Sequence, residues 1–273
     1  MNNTSGLSTS EYELHKEEYD AATFTNEPFA EVEDVIWGKK VTWTPDGLAY
    51  KGAEYQISEG QQVEETISDR FRIFVFREGS AKISLEDSQG VMQESDMEYG
   101  KGFRVQSGQK FAIRVVGATK IIEGSEVDAS EAVEKELFTT ESYVGMDNSK
   151  PWGWEHIFAK KEDPIAMKIL HIEEGECLSL QAHEKKIESY YMSYGRCDMI
   201  MESTNRELIE FVLEYEKGYT TKVGQRHRHQ GGTKMDVFEV STKEDGSTTW
   251  RLADKYARGD QTDAVRVAER GNI

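Results

Sequence analysis

GECLSLQAHEKKIESYYMSYG, Gly175–Gly195, sets three candidate metal ligands in a stretch that otherwise alternates like a half-buried β-strand. Gln181 and His183 stand at i and i+2, so on a strand both side chains leave the same face. Glu188 comes just before SYYMSYG, and a bend or bulge between two strands would bring its carboxylate back over that face. Farther along, Arg226-His227-Arg228-His229 offers an imidazole from another strand. Gln181, His183, Glu188 and His227 make a mixed nitrogen and oxygen set, without thiolate. It suits one divalent first-row metal per chain: Zn or Mn first, then Fe, Co or Ni. His229 shares the face of His227 and is an alternative ligand or an acid/base group. Arg226 and Arg228 would point the other way and read as surface charges, and His156 and His171 read as structural.

Short strands and turns surround this stretch. RIFVFREGSAKISLED (Arg72–Asp87), KFAIRVVGATKII (Lys110–Ile122), AMKILHIEEG (Ala166–Gly175) and DVFEVSTKEDGSTTWRL (Asp236–Leu252) are rich in β-formers and punctuated by glycine, with Glu244-Asp245-Gly246 as a hairpin turn. Closely spaced strands of this kind indicate an all-β protein of barrels or sandwiches. EVDASEAVEKELF (Glu126–Phe138) reads as a short helix capped by Asp128 or Ser130. We therefore expect an N-terminal arm over residues 1–30, a first β-domain over 31–125, a linker with a short helix over 126–150, a second β-domain over 151–260 and a tail over 261–273. A shift of 116 residues lays Gly79 on Gly195 and GFRVQSGQKF (Gly102–Phe111) on GYTTKVGQRH (Gly218–His227), which points to a duplicated domain. The same shift puts Glu65, Ile67, Arg72 and Phe111 where the second half has Gln181, His183, Glu188 and His227. Ile and Phe cannot ligate and Arg repels a cation, so the first half should hold no metal.

The 273 residues carry 33 Lys and Arg against 51 Asp and Glu, a formal charge of −18 that argues against nucleic-acid binding. Between Gln181 and Arg258 the balance is even, 13 against 13, so an anionic ligand is tolerable there. No apolar run is long enough to span a membrane, and the first twenty residues lack the basic and apolar regions of a secretion signal. Cys177 and Cys197 are the only cysteines and read as reduced thiols, which implies a cytoplasmic protein.

Read as G-x5-Q-x-H-x4-E-x6-G, the opening stretch resembles the first cupin motif, with Gln181 in place of its first histidine. Gly224-Gln225-Arg226-His227 supplies the core of the second. The resemblance implies two cupin-type β-barrels (jelly rolls) in tandem, a bicupin, with the metal in the second. Within the cupins, residues 150–258 resemble type II mannose-6-phosphate isomerases through KPWGWE (Lys150–Glu155), LSLQAHEKKIE (Leu178–Glu188), GQRHR (Gly224–Arg228) and WRLADKYAR (Trp250–Arg258). This likeness implies a metal-dependent sugar-phosphate isomerase working through a cis-enediol. Arg258 and Lys186 would stabilise anionic oxygen, and His229 or a solvent-derived base at the metal would carry the proton. Two other readings stand beside it: a carbohydrate or sugar-phosphate binder without turnover, and a cupin dioxygenase, which usually uses three histidines. Cupins often dimerise through sheet faces, so a homodimer is compatible with the resemblance.

Overall fold

The computed structural model describes residues 9–160, 162–243 and 249–256. Arg258, the 244–246 turn and the 261–273 tail lie outside the described residues. The chain divides into two compact units. One takes residues 29–148 and His156–Lys168; the other takes residues 9–28, Ser149–Glu155 and residues 169–256.

Both units are antiparallel β-structures built on the same plan. In the first, a seven-stranded sheet runs in the order Glu31–Val35, Gly38–Thr42, Tyr50–Ile57, Thr119–Glu126, Arg72–Glu78, Lys101–Val105, Tyr143–Val144. A second sheet runs Gln62–Ile67, Lys110–Val115, Ser80–Glu86, Met92–Glu98. Alternating side chains from the two sheets fill the space between them, with Tyr55, Phe74, Phe76, Ile83, Phe103, Phe111 and Ile121 in one continuous core. Burial of a side chain of this size contributes roughly 1.5–3 kcal/mol, so packing across this core holds the barrel together.

The other unit repeats the arrangement. Within it Met235–Thr242, Glu188–Tyr194 and Gly218–Thr221 run side by side in that order in one sheet. A five-stranded sheet has the order Leu208–Val212, Cys197–Glu202, His227–Gly231, Leu180–His183, Thr249–Ala253. A shift of 116 residues carries Arg72–Glu78 onto Glu188–Tyr194 and Thr119–Glu126 onto Met235–Thr242, end for end. The duplication read from scattered glycines is thus a duplication of strands. The interior of this barrel is rich in sulfur and aromatic rings: Met192, Met199, Met201, Met235, Cys197, Tyr190 and Tyr219. Cys177 and Cys197 are both free thiols.

The short helix expected within 126–150 is not there; only a single 3-10 turn, Lys135–Leu137, forms. The backbone of this segment spends its hydrogen bonds on the barrel instead: Ser130 N–H donates to Asp69 O at 2.9 Å and Val133 N–H to Ser107 O at 3.1 Å. Helix propensity is a weak preference, and tertiary partners for the same donors override it.

Residues 9–28 pack on the second barrel. A helix over Thr9–His15 brings Tyr12 against Trp250, with ring centroids 5.6 Å apart, and Tyr19 meets the same indole at 5.7 Å. These rings cover the outward side of the five-stranded sheet, where Leu180, Ala182, Trp250 and Leu252 form an apolar patch. The Tyr12 hydroxyl donates to Gly224 O at 3.0 Å and to buried Glu202 at 3.2 Å, which ties the arm to the loop before His227. Among the described residues no helix is long and apolar enough to cross a membrane.

Candidate metal centre

Strand alternation places the ligands. Along His227–Gly231 the odd positions are buried and the even ones partly exposed, so His227 and His229 enter the barrel while Arg228 turns outward. Gln181 stands directly opposite His227 in the sheet register. On the facing sheet, Glu188 starts its strand between Thr221 and Ser241. Side chains of both sheets therefore converge at one end of the interior.

His183, Glu188 and His227 are the group among the described residues that could hold a metal, with one donor atom from each inside 4.8 Å of the others. Nε2 of His183 and Nε2 of His227 each lie 3.1 Å from Glu188 Oε2. All three residues are at most 6% exposed. The outer nitrogens are engaged: His227 Nδ1 lies 3.0 Å from the Gln225 carbonyl, an arrangement in which Nδ1–H donates. His183 Nδ1 lies 3.0 Å from Thr249 Oγ1. Protonation at Nδ1 leaves the Nε2 lone pairs aimed inward, the tautomer a metal requires. His183 Nε2 lies near the carboxylate without forming a hydrogen bond, a buried polar atom whose remaining partner fits a cation. The residues present fit a divalent metal.

Gln181 stands at the rim of this group. Its Nε2 is 3.4 Å from His227 Nε2, and its Oε1 accepts from Ser179 Oγ at 3.0 Å. A half-turn of the amide would exchange these roles and offer Oε1 as a fourth donor. Lys186, expected to hold anionic oxygen of a substrate, is only 5% exposed, with its ammonium 2.5 Å from Glu188 Oε1 and 2.7 Å from Glu239 Oε1. Burial works to raise the Glu188 carboxyl, but the neighbouring His183 imidazole and the Lys186 ammonium outweigh it and hold the group well below the ordinary carboxylate range. Glu188 is therefore an anion ready to ligate.

Sequence reasoning missed several supporting residues. The Tyr190 hydroxyl donates to Glu188 Oε2, and burial raises its phenol well above the ordinary value, so it remains a donor. Its position two residues after Glu188, on the same strand face, was the available signal. Thr249 and the Gln225 carbonyl gave no signal, because their role depends on sheet register and on a loop. That loop is pinned by the Gln225 side chain, whose Nε2 donates to Glu202 O at 2.7 Å. His229 lies beyond the triad with its ring edge-on to Tyr190 at 4.2 Å and 6.4 Å from the His227 ring. It is 1% exposed and neither ring nitrogen has a hydrogen-bond partner. Burial, reinforced by His227, pushes its pKa down to about 3, so the imidazole is neutral. Arg226 pairs with Glu202 and Arg228 donates to Ala253 O, so neither is a loose surface charge. His171 is structural, bonded to Asp236 at 2.5 Å and stacked on Trp154.

No family model matches the sequence, and no curated protein matches it. Solved structures do. A serine-to-alanine variant of Bacillus subtilis oxalate decarboxylase is similar at a TM-score of 0.67, with 14% identity over 84% of this chain and 80% of that one. An oxalate decarboxylase from the same organism, described for its Mn(II) centres, is similar at 0.67 with 15% identity and the same coverage. The fold is thus that of two cupin-type barrels in tandem. These likenesses overturn the expectation of a mannose-6-phosphate isomerase. Lys186, expected to help stabilise anionic oxygen of the substrate, is already held by two carboxylates.

Proposed function

We propose that the protein is a metal-dependent cupin enzyme acting on a small carboxylic acid, with manganese or iron held in the second barrel by His183, Glu188 and His227. The observation that carries this reading is the convergence of the two Nε2 atoms on one carboxylate oxygen, with both outer nitrogens engaged. A set of two histidines and one carboxylate leaves coordination positions open for substrate and suits redox-active divalent metals. The similarity of fold to oxalate decarboxylase supports a small carboxylate as substrate.

When bound, the metal supplies Lewis-acid polarisation of a substrate oxygen. Glu188 provides the negative charge that retains the cation, and Lys186 balances that charge from the far carboxylate oxygen. Tyr190 fixes the orientation of the coordinating oxygen. His229 is the substrate-facing group of this site. A buried imidazole without partners costs about 1–3 kcal/mol, and a ligand oxygen hydrogen-bonded to it would recover that cost. Gln181 is the fourth protein donor.

The test is turnover of oxalate and other short mono- and dicarboxylates by the manganese- and iron-loaded protein, read as CO2 release and oxygen uptake. We expect metal-dependent consumption of at least one acid. His229→Phe should lose that activity while retaining the metal. A protein that binds metal and turns over none of these acids would be a binding cupin, and the enzymatic reading would fail.

A further inference from the structure

The first barrel has its own candidate ligand site, around the position that corresponds to Glu188 in the second. Lys40, Lys51, Arg72, Glu123 and Ser125 all project from the inward face of the seven-stranded sheet. Lys40 stands opposite Tyr55, while Ser125 stands between Lys51 and Arg72 in the register. Arg70 reaches the same place from the turn before Arg72–Glu78. Together they line a cavity of about 290 Å3.

Comparison with the second barrel shows what has changed. The 116-residue shift lays Arg70 on Lys186, Glu123 on Glu239 and Ser125 on Ser241, each conserving the character of the group. At the remaining position the charge inverts, because Arg72 stands where the second barrel has Glu188. The two ligand histidines are replaced by Ile67, which is exposed, and Phe111, which is buried in the core. A mouth that suits a cation in one barrel has become cationic in the other. Lys40, Lys51, Arg70 and Arg72 face Glu123 and the exposed carboxylates of Asp69 and Asp46, in a chain whose overall charge is −18.

The ion pairs present show which groups are available. Arg72 is bound by Glu123 and Asp69, and Arg70 by Asp69 and the Val127 carbonyl, so the two guanidinium groups are fixed at the floor with their charge offset by the two carboxylates. Lys51 pairs only with Asp46, an almost fully exposed residue. Lys40 makes no ion pair among the described residues; its ammonium lies 5.6 Å from the centre of the Tyr55 ring. Two lysines above these fixed guanidinium groups can close on an anion without breaking a buried pair.

We propose that the first barrel binds a small oxyanion, a carboxylate or phosphate, in this cavity, between the Lys40 and Lys51 ammonium groups and the Arg70–Arg72 floor. The proposal is independent of the activity assigned to the second barrel.

Calorimetric titration of the full chain with malonate and, separately, inorganic phosphate tests it. The protein is used metal-loaded and after chelator treatment, against sodium chloride of matched ionic strength. We expect saturable binding of at least one anion, unchanged by removing metal and weakened at least tenfold in the Lys40→Ala/Lys51→Ala double variant. These lysines are partly exposed, so the variant should fold; Arg72→Gln, which would strand buried Glu123, is avoided. Preference between malonate and phosphate identifies the ligand class. No saturable binding, a chloride response of equal size, binding lost with the metal, or binding indifferent to both lysines would each overturn the proposal.

Discussion

His183 and His227 meet the centre through Nε2 because their other nitrogens are already engaged, one by a threonine hydroxyl and one by a backbone carbonyl. Supporting contacts of this kind hold ring orientation and tautomer, and their loss costs on the order of 10- to 100-fold in metal affinity. Thr249→Val keeps the shape of the side chain and removes the acceptor. It should weaken metal binding by about that factor while the circular dichroism spectrum stays the same, as a chelator competition would show. Tyr190→Phe should act in the same direction, by roughly tenfold, because Glu188 would lose the donor that orients its coordinating oxygen. The candidate ligands were legible in the sequence because the cupin-like spacing places Gln181 and His183 on one strand and Glu188 at the start of the next, with His227 on a third. Thr249 and Gln225 were not, since nothing in the residue types marks a threonine as an imidazole's partner until the register Thr249 with His183 is known.

At the scale of elements, the arm over residues 9–28 and the loop before His227 form one device. Gly224 has φ +77° and a Cβ there would lie 2.2 Å from Tyr19 Cγ, so both the backbone and the arm require glycine. Gly224→Ala should destabilise the second barrel and loosen the loop whose carbonyl holds His227. Tyr12, fully buried between Trp250 and Glu202, should cost about 3 kcal/mol on truncation to alanine, measured by urea denaturation. A loss of a few tenths of a kcal/mol would mean that the arm contributes little. Strands were readable from their period of two and their glycine turns. The 126–138 segment was misread as helix because its local pattern of Glu, Ala and Lys carries no trace of the Asp69 and Ser107 backbone groups that extend it. The basic mouth of the first barrel was equally hidden: Lys40, Lys51, Arg70 and Glu123 come from separate segments and meet only in the folded sheet.

For the whole molecule, duplication has given two barrels with one backbone plan and different cores. The first is packed with phenylalanine and isoleucine, and the second holds methionines and the buried polar residues His183, Glu188 and His227. Metal removal should therefore be felt in one barrel. Hydrogen exchange on the chelated protein should speed up at Leu180–His183, Glu188–Tyr194 and His227–Gly231, while Arg72–Glu78 and Thr119–Glu126 keep their protection. Equal loss in both barrels would contradict this division. The central claim is that the second barrel holds one divalent metal on His183, Glu188 and His227. Elemental analysis of the purified full-length protein beside its His183→Ala variant tests that claim most directly. About one metal per chain, largely lost in the variant, is the predicted result; a native protein without metal, or a variant that keeps its full equivalent, would contradict it.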